Sequence, residues 1–375
     1  MHIARIRHLF YPYLPRDYFY ELSARQVKRG HDVDVLTWNK NETCSEEMVA
    51  EGFQVHRLYG LNLNLVGVVQ DYPYLPSMPA KLEKLRPDIV HGESHLFLPT
   101  VQAIRKAKKM GLPCVVTVHG VFADRDIAFN FFQNLYLRTL GLDVFRKADR
   151  IICLTRSDAK EVASFGCHSE KIRLIPNAVD IELFKPEDER EDNLIVWVGR
   201  FVPEKGIRYL IEAAATVVNK FKDAKFLLIG YGPLKAKLMK MAYDRGLLGG
   251  SVHFLGTLSR NEIANTLRRA TVFVIPSLKE GMPISLLEAM ASGLAVVGSD
   301  IPGINDPVID EENGLLVSPK NPEILANAIL SLLGDSRLRT KLSQNARKHI
   351  VENHRWEIII KRIEKIYNEA LEVAL

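Results

Sequence analysis

The sequence lacks the features of a disulfide-rich, zinc-binding or membrane-spanning protein. It has four cysteines in 375 residues, and none forms a CxxC pair, so we predict neither a zinc site nor a disulfide framework. No uncharged apolar run approaches the ~20 residues that span a bilayer. The chain opens directly on a strand-like run without the apolar core of a signal peptide. We therefore expect a cytoplasmic protein.

A strong charge of one sign is also missing. The net charge is +5, which excludes nucleic-acid binding through bulk positive charge. Most of this excess lies in residues 1–180. The composition, 47% hydrophobic and 25% charged, is typical of a folded globular protein. At about 100–200 residues per domain, the length favours two domains.

Short apolar runs alternate with longer helical patterns along the whole chain. Two examples of the apolar runs are CVVTV at 114–118 and LIVWV at 194–198. The predicted strands are 32–38, 53–58, 88–90, 114–119, 150–154, 172–175, 194–198, 225–229, 251–255, 271–275, 294–297 and 314–317. The predicted helices are 18–29, 207–221, 234–245, 260–269, 284–291, 322–333 and 356–375. Continuous apolar strands separated by helices indicate parallel sheets that are covered on both faces.

The two strand–helix series predict an α/β protein with two doubly wound, Rossmann-like domains. A segment rich in proline and charge separates the series and has the composition of a linker. The predicted boundaries are 1–178, a linker or hinge at 179–193, a second domain at 194–355, and a terminal helix at 356–375. In such proteins the ligand binds in the cleft near the carboxyl ends of the strands.

The most informative motif follows the predicted strand 271–275. It reads PSLKEGMPISLLEAMASG from Pro276 to Gly293, with Glu280 in a Gly-Pro loop and Glu288 on the next helix. Backbone N–H groups of the loop and of the helix N-terminus form an anion site. Glu288 is suited to accept two hydroxyl hydrogen bonds, as from a ribose. The alternative is that each Glu faces solvent.

A second motif, GRFVPEKG, follows the strand 194–198. It places Arg200 and Lys205 on one strand–helix loop, and this pair of cations suits a diphosphate. The alternative is a solvated loop in which a cation pairs with Glu204.

Weaker candidates follow other strands. His119 ends a strand and is placed to bond a sugar hydroxyl, and His95 is a lesser candidate; both have a structural role as the alternative. Gly230 lies in a sharp GYGP turn, which lacks the full dinucleotide fingerprint. The DxD spellings at Asp32–Asp34 and Asp124–Asp126 are interpreted as strand and loop residues, so no metal site is predicted.

An aromatic segment and a basic helix suggest where an acceptor binds. The aromatic and apolar residues are Phe122, Phe129, Phe131, Phe132, Tyr136 and Leu137. The basic residues are Arg105, Lys106, Lys108, Lys109, Arg125 and Arg138. One interpretation is a membrane surface or a lipid-linked acceptor. The other is a core-facing helix beside a solvated basic face.

Taken together, these motifs resemble the retaining GT-B glycosyltransferases of family 4. The similarity covers essentially the whole chain and is densest over 172–320. Its motifs are E-x7-E at Glu280 and Glu288, the phosphate motif from Gly199 to Gly206, a hinge written PNAVD from Pro176 to Asp180, and NGLLV from Asn313 to Val317. The sequence departs from the family at 11–17, where a Gly-Gly turn is usual, at Ala178, and at Asp306, where Glu is commoner.

The resemblance implies a role for each matching residue. Arg200 and Lys205 would hold the donor diphosphate, and Glu288 the ribose. Glu280 and the backbone of Gly281, Met282 and Pro283 would contact the transferred sugar, with Gly230 beside the donor and His119 touching the sugar from the other domain. The first domain would face the acceptor and the second would bind the donor, with the terminal helix crossing back to the first.

The implied reaction is metal-independent transfer of a hexosyl unit from a nucleotide-diphosphate sugar to a hydroxyl acceptor. The nucleotide sugar is a substrate, so no cofactor is expected. UDP-sugars are favoured over GDP-mannose, and the acceptor stays open among sugar, glycan, lipid and small molecule. A location at the inner face of the membrane is one possibility for such an enzyme. The alternatives are a nucleotide-sugar epimerase of similar fold and a non-catalytic sugar-binding protein.

Overall fold

The computed structural model describes residues 1–11, 17–40, 45–63, 71–121, 127–187 and 190–374, without the side chains of 127–130, 132 and 374. The chain divides into two compact units. Unit 1 consists of Met1–Pro176 and Ile360–Leu375, and unit 2 of Asn177–Ile359.

The elements alternate between strand and helix along most of the chain. The strands are β1 (His2–Ile6), β2 (Asp32–Trp38), β3 (Glu46–Met48), β4 (Gln54–Leu58), β5 (Leu61–Asn62), β6 (Pro73–Tyr74), β7 (Ile89–Glu93), β8 (Cys114–Val118), β9 (Arg150–Cys153), β10 (Ile172–Leu174), β11 (Leu194–Val198), β12 (Lys225–Ile229), β13 (Val252–Gly256), β14 (Val272–Ile275), β15 (Ala295–Ser299) and β16 (Leu315–Val317). The helices are α1 (Tyr18–Lys28), α2 (Met78–Leu85), α3 (Leu98–Lys109), α4 (Ile127–Tyr136), α5 (Leu142–Lys147), α6 (Arg156–Ser164), α7 (Ile207–Lys220), α8 (Lys235–Tyr243), α9 (Arg260–Arg269), α10 (Ile284–Ala291), α11 (Pro322–Gly334), α12 (Ser336–Asn353) and α13 (Trp356–Ala374). A π-helical turn, Leu137–Gly141, joins α4 to α5.

Unit 1 is built on an eight-stranded sheet. Its strand order is β10-β9-β8-β7-β1-β2-β4-β3, and all pairs are parallel except β3 with β4. The central strands are buried on both faces, as β8 shows along its whole length. Near the end of the chain, Tyr367 of α13 lies in this unit, where its hydroxyl bonds Gln26 and His91.

Unit 2 is built on a six-stranded parallel sheet in the order β13-β12-β11-β14-β15-β16. Its core contains fully buried Trp197 of β11, against which Phe201 of the following loop stacks. Apolar faces of α7 and α11 cover the sheet, with Ala213, Ala214 and Ile329 fully buried. Strands β12, β11 and β14 are neighbours in this parallel sheet. The loops that follow them therefore all lie at the carboxyl edge of the sheet.

The segment predicted as a linker is fastened to unit 2. Arg347 donates to the carbonyls of Ile181, Phe184 and Ala291, and Arg190 donates to those of Ala270, Ser292 and Gly293. These bonds satisfy backbone carbonyls that no helix or strand pairs. The segment is therefore held to unit 2 by Arg347 of α12 and by its own Arg190.

The predicted fold class, two Rossmann-like parallel α/β sheets, is confirmed. Strands β2, β11 and β12 and helices α9 and α10 have the predicted bounds, and most other elements differ by one to three residues. The sequence analysis gave no bounds for α2, α4, α5 and α6, and it missed α12, the short strand β3 and the β5–β6 hairpin. Helix α12 has a signal in its apolar spacing, since Leu342, Ala346 and Ile350 recur every four residues and are buried.

Candidate functional site

Glycines in unit 2 let the loops that follow its strands approach one another at backbone distance. A side chain at Gly230 would overlap the Gly199 carbonyl, and one at Gly206 would overlap the Pro276 carbonyl. Both glycines have positive φ, at +141° and +62°, a region that other residues rarely adopt. The loops after β11, β12 and β14 therefore form one compact surface.

Lys205 and Glu280 meet on this surface. The Lys205 Nζ lies 2.7 Å from both carboxylate oxygens of Glu280. The Ser277 hydroxyl donates to Glu280 Oε1 at 2.6 Å, so the carboxylate is held from two sides. The Glu280 side chain is 6% exposed and that of Lys205 21%, so the pair is largely shielded from water. The sequence predicted both residues for one ligand, and the structure brings them together.

Arg200 lies on the same loop as Lys205 and is exposed. Among the residues that the structure describes, its guanidinium makes no ion pair with Glu280 or Glu288. The loop itself is ordered by backbone bonds, in which Phe201 N donates to the Tyr231 carbonyl and Gly199 N to that of Ile229. Arg200 thus adds a solvent-facing cation beside the Lys205–Glu280 pair.

Glu288 is buried on α10, at 7% exposure. Burial raises the pKa of its carboxyl to about 7, because a charge is costly away from water, while Arg260 opposes the shift from 3.8 Å. A carboxyl that exchanges its proton near neutral pH inside a site is a common feature of binding and catalytic centres.

The loop Gly281–Pro283 leads directly into α10. The Asn177 side chain donates to the Met282 carbonyl at 2.9 Å, and the Asn177 carbonyl contacts His354 Nδ1 at 2.9 Å. No side chain of the described residues caps the helix at Pro283. The loop is therefore fixed in place, while the start of α10 keeps the anion-binding character of a helix N-terminus.

His119 belongs to unit 1, where it follows β8. Its Nε2 lies 3.2 Å from Glu93 Oε2, and its ring meets that of Phe19 edge-on at 5.0 Å between centroids. The side chain is 24% exposed. His119 is therefore held by one carboxylate and one ring while part of it faces solvent.

His95 and Asp34 have structural surroundings. His95 is fully buried and packs against Phe145, so the lesser functional role proposed for it has no support here. Asp34 bonds His2 and His56, each at 2.5 Å. Among the described residues, no cluster of three or more His, Cys, Asp or Glu side chains is arranged to hold a metal ion. Asp124 and Asp126 lie outside those residues.

The basic helix α3 is largely neutralised. Arg105 pairs with Asp143, Lys106 with Glu83 and Lys108 with Asp149, each at 2.6 Å. These pairs weaken the positive field on which an electrostatic membrane contact through α3 would depend.

The aromatic segment divides between core and surface. Leu137 is fully buried, and the Tyr136 hydroxyl donates to the His95 carbonyl, whereas Phe131 is 65% exposed and Leu135 54%. Arg138 is exposed as well. Phe122, Arg125 and residues 12–16 lie outside the described residues, as do the side chains of Phe129 and Phe132. No helix in the part of the chain that the structure describes has the length and apolarity needed to cross a bilayer.

Sequence reasoning missed three residues that the structure places at these positions. Glu93 ends β7 beside His119, Ser277 holds Glu280, and Arg260 faces Glu288. Glu93 and Ser277 had a usable signal, since both lie at the carboxyl end of a strand. Arg260 had none, because only folding brings the start of α9 next to α10.

Two family models match the chain, and together they span most of it. Residues 17–183 match the model described as Glycosyltransferase Family 4, and residues 179–349 match Glycosyl transferases group 1.

Curated relatives share this similarity over long stretches. The chain is 34% identical over 319 residues to an Escherichia coli UDP-Gal:alpha-D-GlcNAc-diphosphoundecaprenol alpha-1,3-galactosyltransferase, covering 80% of the chain and 79% of that protein. It is 24% identical over 359 residues to the Schizosaccharomyces pombe phosphatidylinositol N-acetylglucosaminyltransferase gpi3 subunit. That match covers 94% of this chain and 76% of the relative.

Solved structures show the same fold. Sucrose-phosphate synthase from Thermosynechococcus elongatus superposes with a TM-score of 0.82 at 22% identity, covering 99% of both chains. Anabaena HepE in complex with UDP-glucose superposes with a TM-score of 0.79 at 18% identity, and the match covers 97% of this chain and 98% of that chain. The two-sheet architecture of these structures is that of the present chain.

Proposed function

The chain belongs to glycosyltransferase family 4, the glycosyl transferases group 1, and we propose that it transfers a hexosyl unit from a UDP-sugar to a hydroxyl acceptor carried on a lipid. As a member of this family it is a retaining glycosyltransferase with the GT-B fold. The observation that carries the proposal is the Lys205–Glu280 pair, in which Glu280 lies on the loop that leads into α10, the helix that carries the buried Glu288.

We assign the donor diphosphate to Lys205 and Arg200. Both cations lie on the loop after β11, Arg200 exposed and Lys205 partly shielded. An ammonium and a guanidinium differ in geometry, and together they can hold the two phosphates of one leaving group. The N-terminus of α10 adds its positive end to the same charge.

Glu288 and Glu280 are assigned to the two sugars of the donor. When ionised, Glu288 presents two acceptor oxygens, which suits the two hydroxyls of the ribose. Glu280 would turn from Lys205 toward hydroxyls of the transferred hexose. We also propose that His119 bonds a hydroxyl of the hexose.

In the proposed reaction the bond between the sugar C1 and the diphosphate oxygen breaks. A new bond forms between C1 and the acceptor oxygen on the same face, so the anomeric configuration is retained. The proton of the acceptor hydroxyl passes to a phosphate oxygen of the leaving UDP. Negative charge grows on the diphosphate as it leaves, and Lys205 and Arg200 lower the barrier by stabilising that charge. We propose that these cations take the role that a metal ion plays in other transferases, and adding EDTA to the assay tests this.

The choice of donor and acceptor rests on the relatives and on one surface. The E. coli relative is named for UDP-Gal and for an acceptor on diphosphoundecaprenol, and the S. pombe relative for phosphatidylinositol. In this chain, Phe131 and Leu135 lie one helical turn apart on α4 and are both exposed. An exposed apolar pair beside Arg138 suits the surface of a bilayer in which a lipid-linked acceptor resides.

A thermal-shift panel of nucleotides and nucleotide sugars tests the proposal. A ligand at 100 times its Kd stabilises the protein by about 2.7 kcal/mol, which is measurable. We expect stabilisation by UDP and UDP-sugars, and transfer of the sugar to a polyprenyl-linked or inositol-lipid acceptor. Stabilisation by GDP-mannose alone would overturn the donor assignment. Conversion of the donor without any acceptor would indicate an epimerase instead.

A further inference from the structure

Unit 1 contains a buried network of polar side chains around Glu93. The carboxylate is 3% exposed and forms an ion pair with fully buried Arg5. Arg5 also donates to Ser23 and Gln26 of α1 at 3.0 and 2.5 Å. One Glu93 oxygen thus faces the core of the unit, while the other faces His119.

The charge state of Glu93 follows from these contacts. Burial raises the pKa of Glu93, but the neighbouring His91, the hydrogen bond from His119 and the positive charge of Arg5 together hold it well below its usual range. An ionised carboxylate has acceptors and no donor. Of the two atoms that meet at 3.2 Å, Glu93 Oε2 and His119 Nε2, the nitrogen must therefore carry the hydrogen.

The neighbouring histidine has a different arrangement. His91 bonds the Tyr367 hydroxyl through Nδ1 and the Thr117 hydroxyl through Nε2, each at 2.7 Å. Burial lowers the pKa of His91 to about 4, so it stays neutral and both its nitrogens are engaged. His119 differs because it is 24% exposed.

We propose that Glu93 is a positioning residue that fixes His119 as its Nε2–H tautomer and so leaves the Nδ1 lone pair to accept a hydrogen bond from a substrate hydroxyl. The inference rests on the proposed function, in which His119 contacts the transferred hexose. Phe19, packed edge-on against the imidazole, restrains the ring in the same orientation. When a carboxylate accepts a hydrogen bond from one ring nitrogen of a histidine, it fixes the protonation state of the other nitrogen.

The first test reads the tautomer directly and needs no substrate. In protein labelled with ¹⁵N-histidine, long-range ¹H–¹⁵N correlation spectra distinguish protonated from unprotonated ring nitrogens, and His119→Asn identifies the His119 signals by their loss. We expect a protonated Nε2 and an unprotonated Nδ1 at His119. A protonated Nδ1 with an unprotonated Nε2 would overturn the proposal.

The second test separates positioning from a purely structural role. Glu93→Asp keeps a negative charge for Arg5 but withdraws the carboxylate from His119 by one methylene. Thr117→Val is the matched control, since it removes a hydrogen bond of His91 in the same network without touching the Glu93–His119 contact. We expect Glu93→Asp to mix the two tautomers and to lower kcat about tenfold, the low end of the effect known for carboxylates that orient metal-binding histidines. Thr117→Val should keep the wild-type tautomer and stay within twofold in kcat.

Two results contradict the inference at this stage. One is an unchanged His119 spectrum in Glu93→Asp, and the other is an equal loss of kcat in both variants. The affinity for UDP, measured in parallel, should be unchanged in Glu93→Asp. Failure of wild-type protein to bind UDP would instead count against the proposed function. The tautomer of His119 is measured without UDP, so that failure would not affect the first test.

Discussion

The ammonium of Lys205 lies 2.7 Å from each carboxylate oxygen of Glu280, 75 residues away in the sequence. The two charges neutralise each other on a surface where the proposed donor brings a diphosphate and a hexose. A bound donor therefore exchanges one ion pair for two contacts, because the diphosphate engages Lys205 and the hydroxyls engage Glu280. Without a donor, Lys205 and Glu280 neutralise each other, and with a donor each is available to bind a different part of it.

Replacing either cation of the loop after β11 should slow the reaction. We expect Lys205→Ala and Arg200→Ala each to lower turnover about 100-fold, because the leaving diphosphate loses a charge that stabilises it in the transition state. Steady-state assays with saturating donor and acceptor measure this effect.

Arg208→Ala is the control for loss of a nearby positive charge. Arg208 lies on α7, just after this loop, and its side chain is 63% exposed. Its replacement should change turnover less than twofold. Wild-type turnover in both Lys205→Ala and Arg200→Ala would remove the diphosphate assignment.

Donor binding should depend on pH through Glu288. Its pKa is raised to about 7 from the ordinary 4.5, so the carboxyl is mostly protonated below pH 6 and mostly ionised above pH 8. Only the ionised form accepts both ribose hydroxyls, so we expect the Kd of UDP-glucose to fall about tenfold between pH 6 and pH 8. Calorimetry with this sugar nucleotide avoids titration of a terminal phosphate.

Glu288→Gln serves as the comparison, since it cannot ionise and should give a flat pH profile. The sign for stability is opposite to that for binding. A raised carboxyl pKa favours the folded protein when the group is protonated, so this group's contribution to the free energy of unfolding falls as pH rises from about 4.5 to 7. Equal pH dependence in wild type and Glu288→Gln would rule out Glu288 as its source.

Two glycines with nearly equal φ angles form a matched pair for the close approach of the loops. Gly206 and Gly246 have φ of +62° and +67°, but a side chain at Gly206 would overlap the Pro276 carbonyl, whereas no atom lies within 4 Å of one at Gly246. Both alanine variants incur the cost of left-handed backbone, about 1–2 kcal/mol. Gly206→Ala should lower the Tm more than Gly246→Ala does, and it should also weaken UDP binding. The same Tm for both variants would mean that the loop contact contributes nothing.

The exposed apolar pair on α4 should contribute to membrane association. We expect wild-type protein to sediment with phosphatidylglycerol vesicles, and Phe131→Ser with Leu135→Ser to reduce the bound fraction severalfold, because two apolar side chains no longer enter the interface. Tyr243→Ser removes a 71% exposed aromatic from α8 of unit 2 and should have no effect. Binding that is equal in all three proteins would exclude α4 as the contact.

Local patterns in the sequence were enough to predict the fold. The continuous apolar run LIVWV, for example, predicts a strand from neighbouring residues alone. Strand β3 could not be found in this way, because two of its three residues are glutamates and it becomes a strand only by antiparallel pairing with β4.

The candidate site was partly visible in the sequence for the same reason. Residues that follow apolar strands, such as Lys205 and Glu280, could be singled out by position. Their pairing with each other, the raised pKa of Glu288 and the contact between Glu93 and His119 depend on tertiary burial and distance. Neither the burial of a side chain nor its distance from a residue far along the chain can be obtained from patterns in one sequence.

The affinity for UDP, measured by titration calorimetry on wild type, Lys205→Ala, Glu288→Gln and His119→Asn, tests the central claim most directly. If unit 2 holds the donor nucleotide as proposed, Lys205→Ala and Glu288→Gln each weaken UDP binding at least tenfold, while His119→Asn binds UDP as wild type does and loses turnover. UDP binding of wild-type strength in both Lys205→Ala and Glu288→Gln would contradict the account.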